Sequence, residues 1–243
     1  MKEADRNVRA GRKNGQVVRS RFASNRWHRI RYSLWAPVYD VWISRFNRKR
    51  RRSLGLLNLQ PGERVLIIGA GTGVDLEFIG PGPNITAIDF TPAMLERLRW
   101  RAARRGLAVD ARVMDGQALD FPDASFDAVI LHFILAVIPD PIRCVRETAR
   151  VLKPHGRAVV FDKLLPDGVQ APFYLELFNP IACFVSTELT RNLGAILDGS
   201  DLGVVHQESA GWKGFTRIAL VQKNGHMPPE PTSWGARPPA TGA

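Results

Sequence analysis

The chain has 243 residues, a length that suits one α/β domain with extensions rather than a string of domains. Hydrophobic residues make up 45% and charged residues 23%, a balance that excludes wholesale disorder. The net charge is +11, but residues 1–60 hold 16 Lys/Arg against 3 Asp/Glu and residues 61–243 hold 18 against 20, so the basicity sits in the N-terminal quarter and points to nucleic acid or an anionic membrane as partner.

Residues 1–17 are polar and read as an unstructured start. From Val18 a helical pattern sets in: Ala23, Trp27, Ile30 and Leu34 recur at helical spacing, with Arg21, Arg26, Arg29 and Arg31 mostly elsewhere on the wheel. Pro37 ends it, and a second helix carrying Val38, Trp42, Ile43 and Phe46 runs into Arg48-Lys49-Arg50-Arg51-Arg52. These 60 residues form a basic helical extension. The Pro61-Gly62 turn opens a different texture, a domain over residues 61–223. Val65-Leu66-Ile67-Ile68 reads as a buried strand, followed by a glycine loop and a helix from about Thr72. Residues 85–88 are a second strand, 92–105 a helix and 109–113 a third strand. Residues 126–133 are nearly all apolar, as expected for the middle of a parallel sheet. Residues 141–152 are a helix stopped by Lys153-Pro154-His155-Gly156, and 158–161 a fifth strand. The segment 170–200 is mostly helical, and 203–206 and 215–222 are closing strands. Residues 224–243 hold five prolines and three glycines and read as a disordered tail.

Strands alternating with helices predict βαβ units and a mostly parallel seven-stranded sheet with helices on both faces. The longest apolar run without formal charge, residues 128–139, is too short to span a bilayer. The basic start lacks the apolar stretch of a secretory signal. Cys144 and Cys183 have no metal-like spacing and are too few for a disulfide framework, which points to a reducing cytoplasm and no metal.

Gly69-Ala70-Gly71-Thr72-Gly73 follows a strand, where glycines permit a tight turn and close approach of a ligand to main-chain N–H groups. Asp89 closes the next strand, 20 residues after Gly69, where a carboxylate can accept from both hydroxyls of a ribose. The third glycine comes one position too early for a dinucleotide fingerprint, and no Lys-Ser/Thr ending marks a phosphate loop. The expected ligand is therefore an adenosine-containing cofactor other than a dinucleotide.

Four segments resemble the class I S-adenosylmethionine-dependent methyltransferases: residues 65–73, Asp89 with Pro92-Ala93-Met94-Leu95, Met114-Asp115-Gly116-Gln117, and residues 121–127. The resemblance implies a Rossmann-like fold and S-adenosylmethionine as cofactor. It places Gly69, Ala70, Gly71, Thr72 and Gly73 against the methionine part, Asp89 on the ribose and Asp115 on the adenine amino group. Phe90, Met94, Gly116 and Gln117 line the same site, and His132 and Tyr39 sit near the methyl. The family often has an acid two residues before the first glycine, where this chain has Ile67, so something else must order the loop.

Tyr32, Trp35, Ala36, Tyr39 and Asp40 resemble a segment shared by quinone-ring C-methyltransferases and bacterial phosphatidylethanolamine N-methyltransferases. Residues 132–141 and Phe161-Asp162-Lys163 look more like the second group. The leading expectation is methylation of a phospholipid amine; quinone or another small molecule is the alternative. Base-methylating signatures after the fourth strand are absent, which disfavours nucleic acid. An amine must lose a proton before attack, and Tyr39, His132, Asp140 and Asp162 are candidates to help, although Asp140 equally suits a helix cap. Trp35, Tyr39, Phe173 and Tyr174 are candidate acceptor contacts, since aromatic faces attract methylated amines. Arg21, Arg26, Trp27, Arg29, Ile30, Arg31 and Leu34 would rest on anionic lipid, making the enzyme peripheral on a membrane.

Overall fold

The computed structural model describes residues 46–164, 191–211 and 216–224. The expected membrane-facing stretch Arg21 to Leu34, the aromatics Trp35, Tyr39, Phe173 and Tyr174, and the tail beyond residue 224 lie outside them. The described chain runs α1 (Asn47–Leu57), β1 (Arg64–Ile68), a short 3-10 turn (Val74–Phe78), β2 (Asn84–Asp89), α2 (Pro92–Arg104), β3 (Val109–Val113) and β4 (Phe126–His132). It continues through α3 (Pro141–Val151), β5 (Leu152–Lys163), α4 (Leu193–Leu197), β6 (Leu202–Ser209) and β7 (Thr216–Lys223).

These strands form one sheet in the order β3-β2-β1-β4-β5-β7-β6. The first five pair in parallel, and β7 is antiparallel to both β5 and β6. Period-two alternation along the strands divides the core into two layers. Leu66, Ile68, Val129 and Leu131 pack against Cys144 and Val145 of α3 and Leu193 and Ile196 of α4. Val65, Ile67 and Ile130 pack on the other face against Leu54 and Leu57 of α1 and Leu95 and Leu98 of α2.

Three expectations change. The helix predicted from Thr72 is only the 3-10 turn, because Gly80-Pro81-Gly82-Pro83 stops the chain one turn later. The helix α3 does end just before Lys153-Pro154-His155-Gly156, but β5 starts at Leu152 and runs through these residues; a register shift against β4 and a positive φ at His155 absorb the irregularity. Finally, α1 begins at the basic block and runs past it, burying Arg50, Ser53, Leu54 and Leu57. So α1, the end of the basic quarter, packs against one face of the sheet.

Candidate active site

The order of the sheet reverses between β1 and β4, and the strand ends there open a crevice. The glycine loop, the end of β2 and the segments after β3 and β4 enclose a cleft of about 760 Å³, open to solvent.

Gly69, Gly71 and Gly73 all take left-handed φ, at 68°, 54° and 77°. The loop enters on a bond from Ala70 N–H to the Ile88 carbonyl. Gly69 and Gly71 line the cleft, whereas Gly73 does not. A Cβ at Gly73 would lie 2.8 Å from Leu98 Cγ, so this glycine lets the turn close onto α2. Ala70 and Thr72 are buried in the loop and do not line the cleft.

Asp89 stands at the end of β2 beside the loop. Its Oδ2 accepts from Gly71 N–H and its Oδ1 from Thr91 N–H, each at 2.8 Å. Burial pushes its carboxyl up, against those two bonds. Past β3, Asp115 accepts from the main-chain and side-chain N–H groups of Gln117, and Gln117 Oε1 in turn accepts from Asp140 N–H. Phe90, Met94, Met114 and Gly116 add surface to the cleft, and Phe133, Ile134, Val137, Ile138 and Pro139 form an apolar wall.

Two buried groups hold that wall. Asp162 accepts from Ala136 N–H at 3.0 Å and Lys163 N–H at 2.7 Å, and Arg191 donates to the carbonyls of Leu135 and Ile138. Burial pushes the Asp162 carboxyl up to about 6.

This geometry changes three expected catalytic roles. His132 is 4% exposed and does not line the cleft; its Nδ1 lies 2.7 Å from Asp75 Oδ1 and its Nε2 3.0 Å from Ser53 Oγ. Asp140 caps α3, accepting from Arg143 N–H at 3.0 Å. Asp162 spends its carboxylate on main-chain N–H groups. The cap at Asp140 is the alternative that the sequence already offered, whereas the contacts of His132 and Asp162 are ones that residue type alone did not announce. Tyr39 lies outside the described residues. The apolar wall, Thr91, Arg191 and the Arg50–Asp75 pair were missed; only the polarity of Asp75 between Val74 and Leu76 hinted at a special position.

The residues fit an adenosine-bearing cation. Ribose hydroxyls and an adenine amino group are donors suited to two carboxylates, and the ring suits the apolar wall. Among the described residues, no Lys or Arg lines the cleft, which favours a sulfonium over a pyrophosphate there.

The chain belongs to the class I S-adenosylmethionine-dependent methyltransferases, and the protein is an enzyme of that class. Its residues 66–160 match the methyltransferase domain family. It is 37% identical over 139 residues to a phosphatidylethanolamine N-methyltransferase of Cereibacter sphaeroides, covering 56% of this chain and 68% of the relative. It is 35% identical over 174 residues to a demethylmenaquinone methyltransferase of Thermus thermophilus, covering 68% and 79%. Among solved structures, a methyltransferase from Aquifex aeolicus aligns with TM-score 0.56 at 20% identity, over 74% of this chain and 93% of that one. The [4+2]-cyclase SpnF aligns with TM-score 0.62 at 19% identity, over 74% and 81%. A cyclase among the neighbours illustrates that likeness at this level shows the fold and not the reaction.

Proposed function

We propose that the chain transfers the methyl group of S-adenosylmethionine to the amine headgroup of a phospholipid at a membrane surface. The observation that carries this reading is the 37% identity to a relative named for phosphatidylethanolamine N-methylation. The basic N-terminal quarter supports it, because each Lys/Arg near an anionic surface adds on the order of 1 kcal/mol.

In this reading Asp89 takes the ribose hydroxyls, Asp115 the adenine amino group, and the main chain of Gly69 and Gly71 lies along the methionine part. Phe90, Met94 and Ile138 pack on the rings. The cofactor supplies a methyl group already activated on sulfur. The chain must therefore hold the acceptor in line with it and exclude water, and the apolar wall from Phe133 to Pro139 is built for that exclusion. A primary amine has a pKa of roughly 10 and must lose a proton first. His132, Asp140 and Asp162 are engaged elsewhere, so desolvation by this wall and Tyr39 are left to promote that loss.

A second reading, C-methylation of a quinone ring, draws on the longer alignment with the demethylmenaquinone methyltransferase. The wall suits a lipophilic ring as well as a lipid. Incubation of the protein with labelled S-adenosylmethionine and vesicles containing both phosphatidylethanolamine and demethylmenaquinone decides between them. Label in mono- and dimethylated phosphatidylethanolamine is expected. Label in the quinone alone would replace the first reading with the second.

A further inference from the structure

Beside the glycine loop lies a buried polar cluster that no cofactor contact explains. Three elements build it: α1 supplies Arg50 and Ser53, one helical turn apart; the 3-10 turn supplies Asp75; and the end of β4 supplies His132. Arg50 Nη1 and His132 Nδ1 both meet Asp75 Oδ1, at 2.5 and 2.7 Å, and Ser53 Oγ meets His132 Nε2 at 3.0 Å. Burial pushes the Asp75 carboxyl up, but the Arg50 guanidinium and the His132 ring outweigh it and hold the carboxyl well below the usual range. Against an ionised carboxylate, Nδ1 of the ring donates, and the Ser53 hydroxyl completes the second ring bond.

Stability alone does not account for such a cluster, because removing both Arg50 and Asp75 from water offsets much of their attraction. Its location gives it a task. The loop from Gly69 to Gly73 contains three glycines at positive φ, the residue type with most conformational freedom to lose. Its entry is tied by Ala70 N–H to Ile88 O and its middle by Gly71 N–H to Asp89. Position 67 of β1 is a buried isoleucine and offers no carboxylate. Asp75, two residues past Gly73, anchors the exit. The Arg50 guanidinium also lies 5.1 Å over the ring of Phe133, which lines the cleft.

We propose that Asp75 is the positioning residue that holds the glycine loop in its cofactor-binding form, and that His132, Ser53 and Arg50 act on methyl transfer only through it. His132 is then a spacer between α1 and the loop, and takes no proton from the acceptor. This inference concerns cofactor binding by the family and is independent of the phospholipid reading: its binding and exchange arms need no acceptor, and total lipid extract offers quinones as well as phospholipids to the rate arm.

The test is calorimetric titration of the full chain with S-adenosylhomocysteine, together with amide hydrogen exchange of the ligand-free protein. His132→Phe is expected to weaken binding about tenfold or more, the cost of an unmade buried hydrogen bond. It should speed exchange over residues 70–76 while leaving β4 and β5 protected. His132→Asn keeps a donor where Nδ1 stood and should recover most of the affinity; its transfer rate to total lipid extract at saturating S-adenosylmethionine should stay within about threefold of the parent, since a spacer need not accept a proton. Unchanged affinity and exchange in His132→Phe would overturn the proposal. So would a His132→Asn protein that binds normally but loses about 100-fold in saturated rate, which would identify a base. Ser53→Ala removes one hydroxyl and serves if His132→Phe does not fold: unaltered affinity there is equally fatal.

Discussion

At the scale of single residues, the cleft separates carboxylates that face it from carboxylates that only look catalytic. Asp89 does two tasks, holding Gly71 N–H and presenting an acceptor to the cleft. Asp89→Ala should weaken S-adenosylhomocysteine binding by about tenfold or more, measured by titration, because it removes an acceptor and leaves two N–H groups without their partner. Asp140 is a different case. Asp140→Ala should lower unfolding free energy by about 1 kcal/mol, the usual value of a helix cap, and move cofactor affinity less than about twofold. Chemical denaturation beside a titration checks both halves; a large loss of transfer rate at unchanged stability would restore a chemical role to Asp140.

At the scale of elements, the wall after β4 is an irregular segment made rigid by two opposite buried charges. Asp162 and Arg191 lie 29 positions apart in the sequence yet converge on Leu135 to Ile138. Their titration has a readable sign. Burial raises the Asp162 carboxyl to about 6, so the folded state holds that proton where the unfolded chain, near 4, has released it. Its contribution is fully present below about pH 4 and is lost as pH rises through 6. The total is on the order of 3 kcal/mol, from about two pKa units. Asp75 runs the other way: its depressed carboxyl contributes stability above about pH 4 and loses it as pH falls below. Melting temperatures between pH 4 and 7 should therefore rise with pH more steeply in Asp162→Asn than in the parent, once the opposing slope is removed. An identical pH profile in the two proteins would mean that Asp162 titrates normally.

At the scale of the whole molecule, the basic N-terminal quarter is not one unit. Its last helix, α1, buries Leu54 and Leu57 in the core, each worth about 1.5–3 kcal/mol, and contributes Arg50 and Ser53 to the cluster around Asp75. Deleting residues 1–34 should leave cooperative unfolding intact; on the phospholipid reading it should also abolish binding to anionic vesicles, read by sedimentation. Deleting residues 1–60 should instead abolish the cooperative transition seen by calorimetry, because it strips one face of the sheet. If both truncations unfold alike, α1 is not the dividing element.

The primary sequence alone determined the strands from β1 to β4, the glycine loop, and the placement of Asp89 and Asp115. Each is written in local chemistry: short, nearly continuous apolar runs bounded by turn residues, glycines where φ must be positive, and an acid at a strand end. Tertiary structure alone decided that His132 points to Asp75 and Ser53, that Asp162 serves the wall, and that α1 belongs to the core. The bonds responsible join residues 57, 79 and 26 positions apart. Which of several plausible partners a polar side chain takes is set by how the sheet and helices pack around it, and no short window of sequence contains that packing.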